Sequence, residues 1–217
     1  MTTSVHGEAQ VHTSGHVLNW PGFVYDLASN LLSFGRAGRM RKAIIALAGL
    51  RQGEDVLDVG CGTGTLAILA RQVVGPTGSV HGIDPAPRMI AAARRKAKRQ
   101  GALVDFQPGA IEALPFADHS FNIVLSSFML HHLPDDVKRK GLSEVRRVLK
   151  TGGRFFAVDF RKEGFSLHDL VAHVLGAHHG PEADVAKVGP LLEQAGFHDI
   201  RTEPTGFKSV SYVQAIA

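Results

Sequence analysis

The spacing of apolar residues changes along the chain. Over residues 36–50, Met40, Ala43, Ile44 and Leu47 share one helical face, and Gly49 and Gly53 close the pattern. Before it, Trp20, Phe23, Tyr25, Leu27, Leu31 and Leu32 fit short helices over residues 19–34 that cap something else. Residues 1–17 hold His6, His12 and His16 among small polar neighbours with no apolar period, which predicts a loose arm.

From residue 55 onward short apolar runs alternate with helical patterns. Strands are predicted at 55–59, 79–83, 104–107, 121–126 and 154–160, and two more in the tail at 198–203 and 208–216. Helices are predicted at 65–74, 87–100 (ended by Gly101), 136–149, within 166–177, and at 185–195 before Gly196. The run FNIVLS is almost continuously apolar, as a strand buried on both faces must be. Thr151, Gly152 and Gly153 read as a turn into the strand at 154–160. Strand–helix alternation predicts an α/β, doubly wound, seven-stranded, mostly parallel sheet with helices on both faces, binding its ligand at the carboxyl ends of the strands. With 217 residues and 44% hydrophobic composition, one domain over 18–217 is expected behind the arm. Residues 18–50 would form a cap and 161–190 a substrate-pocket segment.

The first predicted strand runs into VLDVGCGTG, a glycine loop opening a helix. That context is the one a nucleotide loop needs. No Gly-Lys-Ser/Thr occurs, so this is not a P-loop. A nicotinamide dinucleotide is the more serious alternative, because Asp84 follows Gly64 at the distance of a ribose-gripping carboxylate. The glycines run GxGxG rather than GxGxxG, however, and Asp58 stands where a pyrophosphate would lie. Two anions in a partly dry site repel by roughly several kcal/mol. A ligand with positive charge and no phosphate suits Asp58. S-adenosylmethionine, a sulfonium and ammonium beside an adenosine, is such a ligand, with Asp84 taking the ribose.

These residues resemble the first motif of the Rossmann-fold S-adenosylmethionine-dependent methyltransferases. The resemblance continues through GSVHGIDPAPRMIAAA, IEALPFADHSFNIVLSSFMLHHL and EVRRVLKTGGRF, in order, over roughly residues 40–160. It implies the methyltransferase fold, S-adenosyl-L-methionine as cofactor and S-adenosyl-L-homocysteine as product. It also implies contacts from Asp58, Gly60, Cys61, Gly62, Thr63, Gly64 and Asp84. By the same resemblance Pro85 and Met89 pack on the adenosine, Ala110 and Ile111 bracket the adenine, and Ser126 and Ser127 lie beside the methionine. Many relatives carry Asp or Asn where this chain has Ala110, so the side-chain acceptor for the adenine amino group is missing there. Upstream, YDLASNLLSFGRAGRMRKA is similar to the corresponding segment of the ubiquinone/menaquinone-biosynthesis methyltransferases, which makes Tyr25 part of a lid over the cofactor. After the fourth strand the quinone enzymes tend to read Gly-Leu-Arg-Asn. Here Met129-Leu130-His131-His132 stands instead, a form shared with generic small-molecule methyltransferases. The acceptor is therefore left open between a quinol- or phenol-like ring and a lipid amine.

Methyl transfer needs position and dryness more than acid–base groups, with a base where the acceptor must lose a proton. His131 is the candidate base, with His132 beside it. Cys61, the single cysteine, permits no internal disulfide and fits a reducing, cytoplasmic setting. The N-terminal MTTSVHGEAQ lacks the pattern of a secretory signal. His168, His173 and His178 are spaced by five, about 140° apart on a helix, so no metal site is expected. The helix at 87–100 carries six basic residues and no acid, read as a solvated face. With a net charge of only +4, it argues against a nucleic-acid partner and leaves weak association with anionic membranes as an expectation. Two other readings stand beside the enzyme: a catalytically idle cofactor-binding relative acting through a partner, and an NAD(P)-dependent oxidoreductase.

Overall fold

The computed structural model describes Thr13, Gly15 and residues 37–161 and 185–217. Tyr25, the predicted cap helices of 19–34, the helix within 166–177 and the histidines 168, 173, 178 and 179 lie outside the described residues.

The described chain runs α1 (Ala37–Ala48), β1 (Asp55–Val59), α2 (Thr65–Val74), β2 (Ser79–Asp84), α3 (Pro87–Gln100), β3 (Asp105–Pro108), β4 (Phe121–Ser127), a 3-10 turn (Leu130–His132), α4 (Asp135–Val148) and β5 (Leu149–Phe160). After the gap come a 3-10 turn (Val185–Val188), α5 (Gly189–Gln194), β6 (His198–Pro204) and β7 (Val210–Ile216). The seven strands form one sheet in the order β3-β2-β1-β4-β5-β7-β6. β1 to β5 are parallel, and β7 pairs antiparallel with both β5 and β6.

The period of two along each strand sorts its side chains onto two cores. On β4, Ile123 and Leu125 face α1, α2 and α3 with Ile44, Leu66 and Ile90. Val124 faces the other way, toward α4 and α5 with Leu142 and Leu192. On β1, Val56 lies in the first core and Leu57 and Val59 in the second, so Asp58 falls on the α2 side. Each face thus buries its own helix layer, and the predicted doubly wound architecture is the one observed.

Two local readings are corrected. Thr151, Gly152 and Gly153 do not precede a strand but belong to β5, which begins at Leu149. Leu149 already pairs with Phe121, and the Gly152 amide donates to the Ala217 carbonyl at 2.9 Å. The glycine signal survives as a bulge inside β5, where the register shifts between the Leu149–Phe121 and Arg154–Ile123 pairs and Gly152 has φ +73°. The helix expected at 185–195 is a 3-10 turn followed by a six-residue α-helix beginning at Gly189-Pro190.

From β1 the chain winds outward through β2 and β3, then returns to lay β4 on the other side of β1. The carboxyl ends of β1 and β4 therefore diverge to a crevice, the switch point at which such sheets bind ligands.

Candidate active site

The loop after β1 is built by its own amides. The N–H groups of Gly60 and Cys61 both donate to the Ile83 carbonyl, each at 2.9 Å, and Gly64 donates to the Cys61 carbonyl at 2.9 Å. Gly62 donates to Oδ2 of Asp84 at 2.9 Å. Gly64 has φ +74°, and a Cβ there would lie 2.5 Å from the Phe106 ring and 2.8 Å from Ala93. Only glycine lets the loop sit that close to α3. A Cβ on Gly62 would meet nothing within 4 Å, so the loop's open side is there. Lys96 on α3 donates to the hydroxyls of Thr63 and Thr65, both at 2.8 Å, tying the loop to the next helix.

Beside this loop lies an open cleft whose empty space, solvent at its mouth included, is about 720 Å3. Its floor is Gly60, Gly62 and Asp84, followed by Pro85 and Met89. One wall is Gly109, Ala110, Ile111 and Glu112, and the other is Ser127, Phe128, Met129, His132 and Leu133. Every strand from β1 to β4 contributes at its carboxyl end. Thr13 and Gly15 line the same cleft, although the sequence predicts a loose arm there.

Asp84 holds the floor together. Its Oδ1 accepts the Ala86 amide and its Oδ2 the Gly62 amide, each at 2.9 Å. Burial raises its carboxyl above the usual range, against the pull of those two amides. Asp58 is fully buried beneath the loop, off the cleft wall, and neither of its oxygens has a hydrogen-bond partner. The Ala67 amide, in the first turn of α2, falls short of a hydrogen bond but favours the charged form. Burial outweighs it, with the Asp84 charge adding in the same sense, and the Asp58 carboxyl is pushed up to about 7. Cys61 is buried too, and burial beside these carboxylates lifts its thiol well above the ordinary value. That makes it a poor nucleophile.

The charges decide what the cleft can take. Among the described residues lining it there is no lysine and no arginine. The amides of Gly60, Cys61, Gly62 and Gly64 are already donated inside the protein, so they do not form a phosphate cradle. A dinucleotide pyrophosphate fits poorly. A ligand with net positive charge fits, because it relieves the Asp58 and Asp84 carboxylates together. The cationic methionine part of S-adenosylmethionine meets that requirement.

His131 and His132 divide. His132 lines the cleft. His131 points back into the fold, where its Nδ1 lies 2.6 Å from Oδ1 of Asp159 and its backbone N–H donates to Oδ2 at 3.1 Å. The side chains of this pair are each 3% exposed. The two histidine rings lie 3.8 Å apart, centroid to centroid, and Phe160 closes the other side of His131 at 5.2 Å. Asp159 was not singled out in the sequence. The available signal was an aspartate near the end of the strand next to β4. Phe128 is a second such residue, with φ +53°, a strained conformation for an aromatic, fixed by its amide donating to the Val158 carbonyl at 2.8 Å.

Of the remaining expected residues, Ser127 lines the cleft, while Ser126 is 2% exposed with its hydroxyl unpartnered. Thr63 and Gly64 support the loop from behind. On α3, Arg88, Arg94, Arg95, Lys98 and Arg99 are exposed, while Met89, Ile90, Ala93 and Ala97 are buried.

Comparison with known proteins agrees with this geometry. Residues 56–153 match the family model of a methyltransferase domain. The ubiquinone/menaquinone biosynthesis C-methyltransferase UbiE of Escherichia coli O1:K1 / APEC is 31% identical over 232 aligned residues, covering 99% of this chain and 90% of that protein. The chain belongs to the S-adenosylmethionine-dependent methyltransferases. The protein of the same description from Klebsiella pneumoniae subsp. pneumoniae is 35% identical over 161 residues, which span 73% of this chain and 63% of the relative. A crystal structure of an S-adenosylmethionine-dependent methyltransferase from Aquifex aeolicus superposes with a TM-score of 0.72 at 26% identity, covering 90% of this chain and 97% of that one. The cofactor of this methyltransferase is S-adenosylmethionine. Among the described residues no helix is long and apolar enough to cross a membrane.

Proposed function

We propose that this methyltransferase transfers a methyl group to a ring carbon of a small, apolar, quinol-like acceptor. The observation that carries the reading is the similarity to a ubiquinone/menaquinone biosynthesis C-methyltransferase along 99% of the chain. The character of the cleft supports it, since Phe128, Met129 and Leu133 give one wall an apolar surface suited to an aromatic ring.

S-adenosylmethionine supplies an activated methyl group whose sulfur leaves as a neutral thioether. The chain supplies the rest. In this reading the glycine loop and Asp84 hold the adenosine and methionine portions at the carboxyl ends of β1 and β2. Pro85 and Met89 pack on the adenosine, and Ala110 and Ile111 bracket the adenine. Asp58 stabilises the cationic portion as a buried charge rather than as a contact. The wall from Ser127 to Leu133 excludes water and places the acceptor carbon in line with the methyl group, where proximity does most of the work. A new C–C bond forms as the C–S bond breaks, and the ring carbon then sheds its proton to restore aromaticity. A phenolic proton removed beforehand makes that carbon more nucleophilic. The histidine pair carries this base role: His132 faces the cleft, and His131 beside it is locked by Asp159.

The test is incubation with methyl-labelled S-adenosylmethionine and a reduced prenylated benzo- or naphthoquinone bearing one open ring position. Label on the ring carbon supports the reading. Label appearing instead on an aminophospholipid, with the quinol untouched, would transfer it to a lipid amine.

A further inference from the structure

The two helix layers differ in charge. On the face of Ile123 and Leu125, α1, α2 and α3 carry three, one and six basic residues and no acid. Those ten charges exceed the net +4 of the whole chain, so the rest of the chain carries −6. On the opposite face α4 mixes signs and pairs them, Lys138 with Asp135 and Arg147 with Glu144. On the basic face Arg39, Lys42, Arg88, Arg95, Lys98 and Arg99 are exposed, and none of the six forms an ion pair among the described residues. Such a one-sign layer attracts an anionic partner.

The apolar surface distinguishes between partners. Among the described residues the exposed large hydrophobic side chains are Leu47, Val73 and Leu103, the last 77% exposed. Leu47 stands near the end of α1, Val73 near the end of α2, and Leu103 just beyond α3. Each of these helices leads into the start of a parallel strand, so the three side chains lie at one end of the basic layer. Aliphatic side chains among arginines and lysines suit a lipid headgroup region, which takes both. A nucleic acid would use the cations, but its bases stack on aromatic rings, and no aromatic side chain is exposed among the described residues. Arg88, Arg95 and Arg99, spaced by seven and four, share one side of α3. That stripe starts beside Met89, which lines the cleft, so the basic layer and the cleft meet at the first turn of α3.

We propose that the layer of α1, α2 and α3 docks this enzyme on the surface of an anionic lipid bilayer. The six cations lie over the headgroups, Leu47, Val73 and Leu103 enter the interface, and the cleft stays at the edge of the docked face. The docking does not depend on which acceptor the cleft takes.

The experiment is cosedimentation of the full chain with vesicles of phosphatidylcholine, alone or mixed with phosphatidylglycerol at roughly three to one. It is run at about 0.1 M and about 1 M salt, between which the screening length falls from about 10 Å to about 3 Å. At the lower salt the wild type should bind the mixed vesicles at least about tenfold better than the neutral ones, and the higher salt should release it. Each cation near an anionic surface is worth about fivefold in partitioning. The triple variant Arg95→Gln, Lys98→Gln, Arg99→Gln should therefore bind about a hundredfold more weakly, with its affinity for S-adenosylhomocysteine kept within about threefold. Leu103→Ser should weaken binding by about tenfold at unchanged charge. Arg139→Gln with Lys140→Gln, which removes two exposed cations from α4 on the opposite face, should change binding by less than about threefold. Equal partition onto neutral and anionic vesicles would overturn the inference. So would a loss in the α4 variant that matches the α3 variant charge for charge, since net charge rather than this layer would then be at work. Retention on a single-stranded oligonucleotide that anionic vesicles do not compete away, and that the α3 variant loses, would overturn it in favour of a nucleic-acid surface.

Discussion

Removing the buried charge beneath the glycine loop should change how stability responds to pH. Asp58 is fully buried, has no hydrogen-bond partner, and its carboxyl is pushed up to about 7. In the unfolded chain it titrates near 3.9, so between those values the folded protein holds a proton that the unfolded chain has released. Stability then falls as pH rises across that window. From pH 5 to pH 8 the loss from this group works out at roughly 2.5 kcal/mol, using about 1.4 kcal/mol per pH unit over the two units below the folded value. Asp84, also raised by burial, acts in the same sense. Asp55, lowered chiefly by its hydrogen bonds to Lys150 and Ser79 against the cost of burial, acts in the opposite sense at lower pH. Comparison with Asp58→Asn removes those shared contributions. Buried asparagine has its own cost, but that cost does not vary with pH. Urea denaturation of both ligand-free proteins at pH 5, 6, 7 and 8 reads the difference. The wild type should lose about 2.5 kcal/mol more than Asp58→Asn from pH 5 to pH 8. Parallel profiles would refute the claim that burial pushes the Asp58 carboxyl up to about 7.

The same carboxylate predicts that S-adenosylmethionine binds about tenfold tighter at pH 8 than at pH 6, with proton release visible as a dependence of the heat on buffer ionisation; equal affinities at both values would remove Asp58 from the electrostatics of binding. The glycines should separate sharply. Gly64→Ala collides with Phe106 and Ala93 at a positive φ and should cost about 2–4 kcal/mol, whereas Gly62→Ala meets only open space and should cost about 1 kcal/mol, read as denaturant midpoints. His132→Ala should lower kcat for the quinol by about a hundredfold while leaving S-adenosylhomocysteine affinity within about threefold, and full turnover would end the base role of the histidine pair.

Much of the fold could be read in advance, because its helices and strands bury one face or both and so carry the period of their element. The helices at Thr65–Val74 and Pro87–Gln100 fall where the sequence places them, each bounded by glycine or proline. Misreadings occur where tertiary pairing overrules local chemistry. Thr151-Gly152-Gly153 looks like a turn and does bend the chain, yet hydrogen bonding to Ala217 keeps the bend inside β5. The candidate site divides in the same way. Asp58, the glycine loop and Asp84 are contiguous with a recognisable strand and helix, so spacing and charge reveal them. Asp159 meets His131 only because β5 lies beside β4 and the 3-10 turn folds back over both strands. No spacing along the chain announces that pair. Thr13 and Gly15 reach the cleft from a stretch with no periodic signal at all.

The central claim is that this cleft presents a methyl group to the ring carbon of a quinol. It is tested most directly by mass spectrometry and NMR of the product formed from methyl-labelled S-adenosylmethionine and a reduced prenylated quinone. The account predicts one added methyl group, bonded to ring carbon, together with an equal amount of S-adenosylhomocysteine. No transfer to the quinol by a protein that binds S-adenosylhomocysteine, or a methyl group found on oxygen, would contradict it.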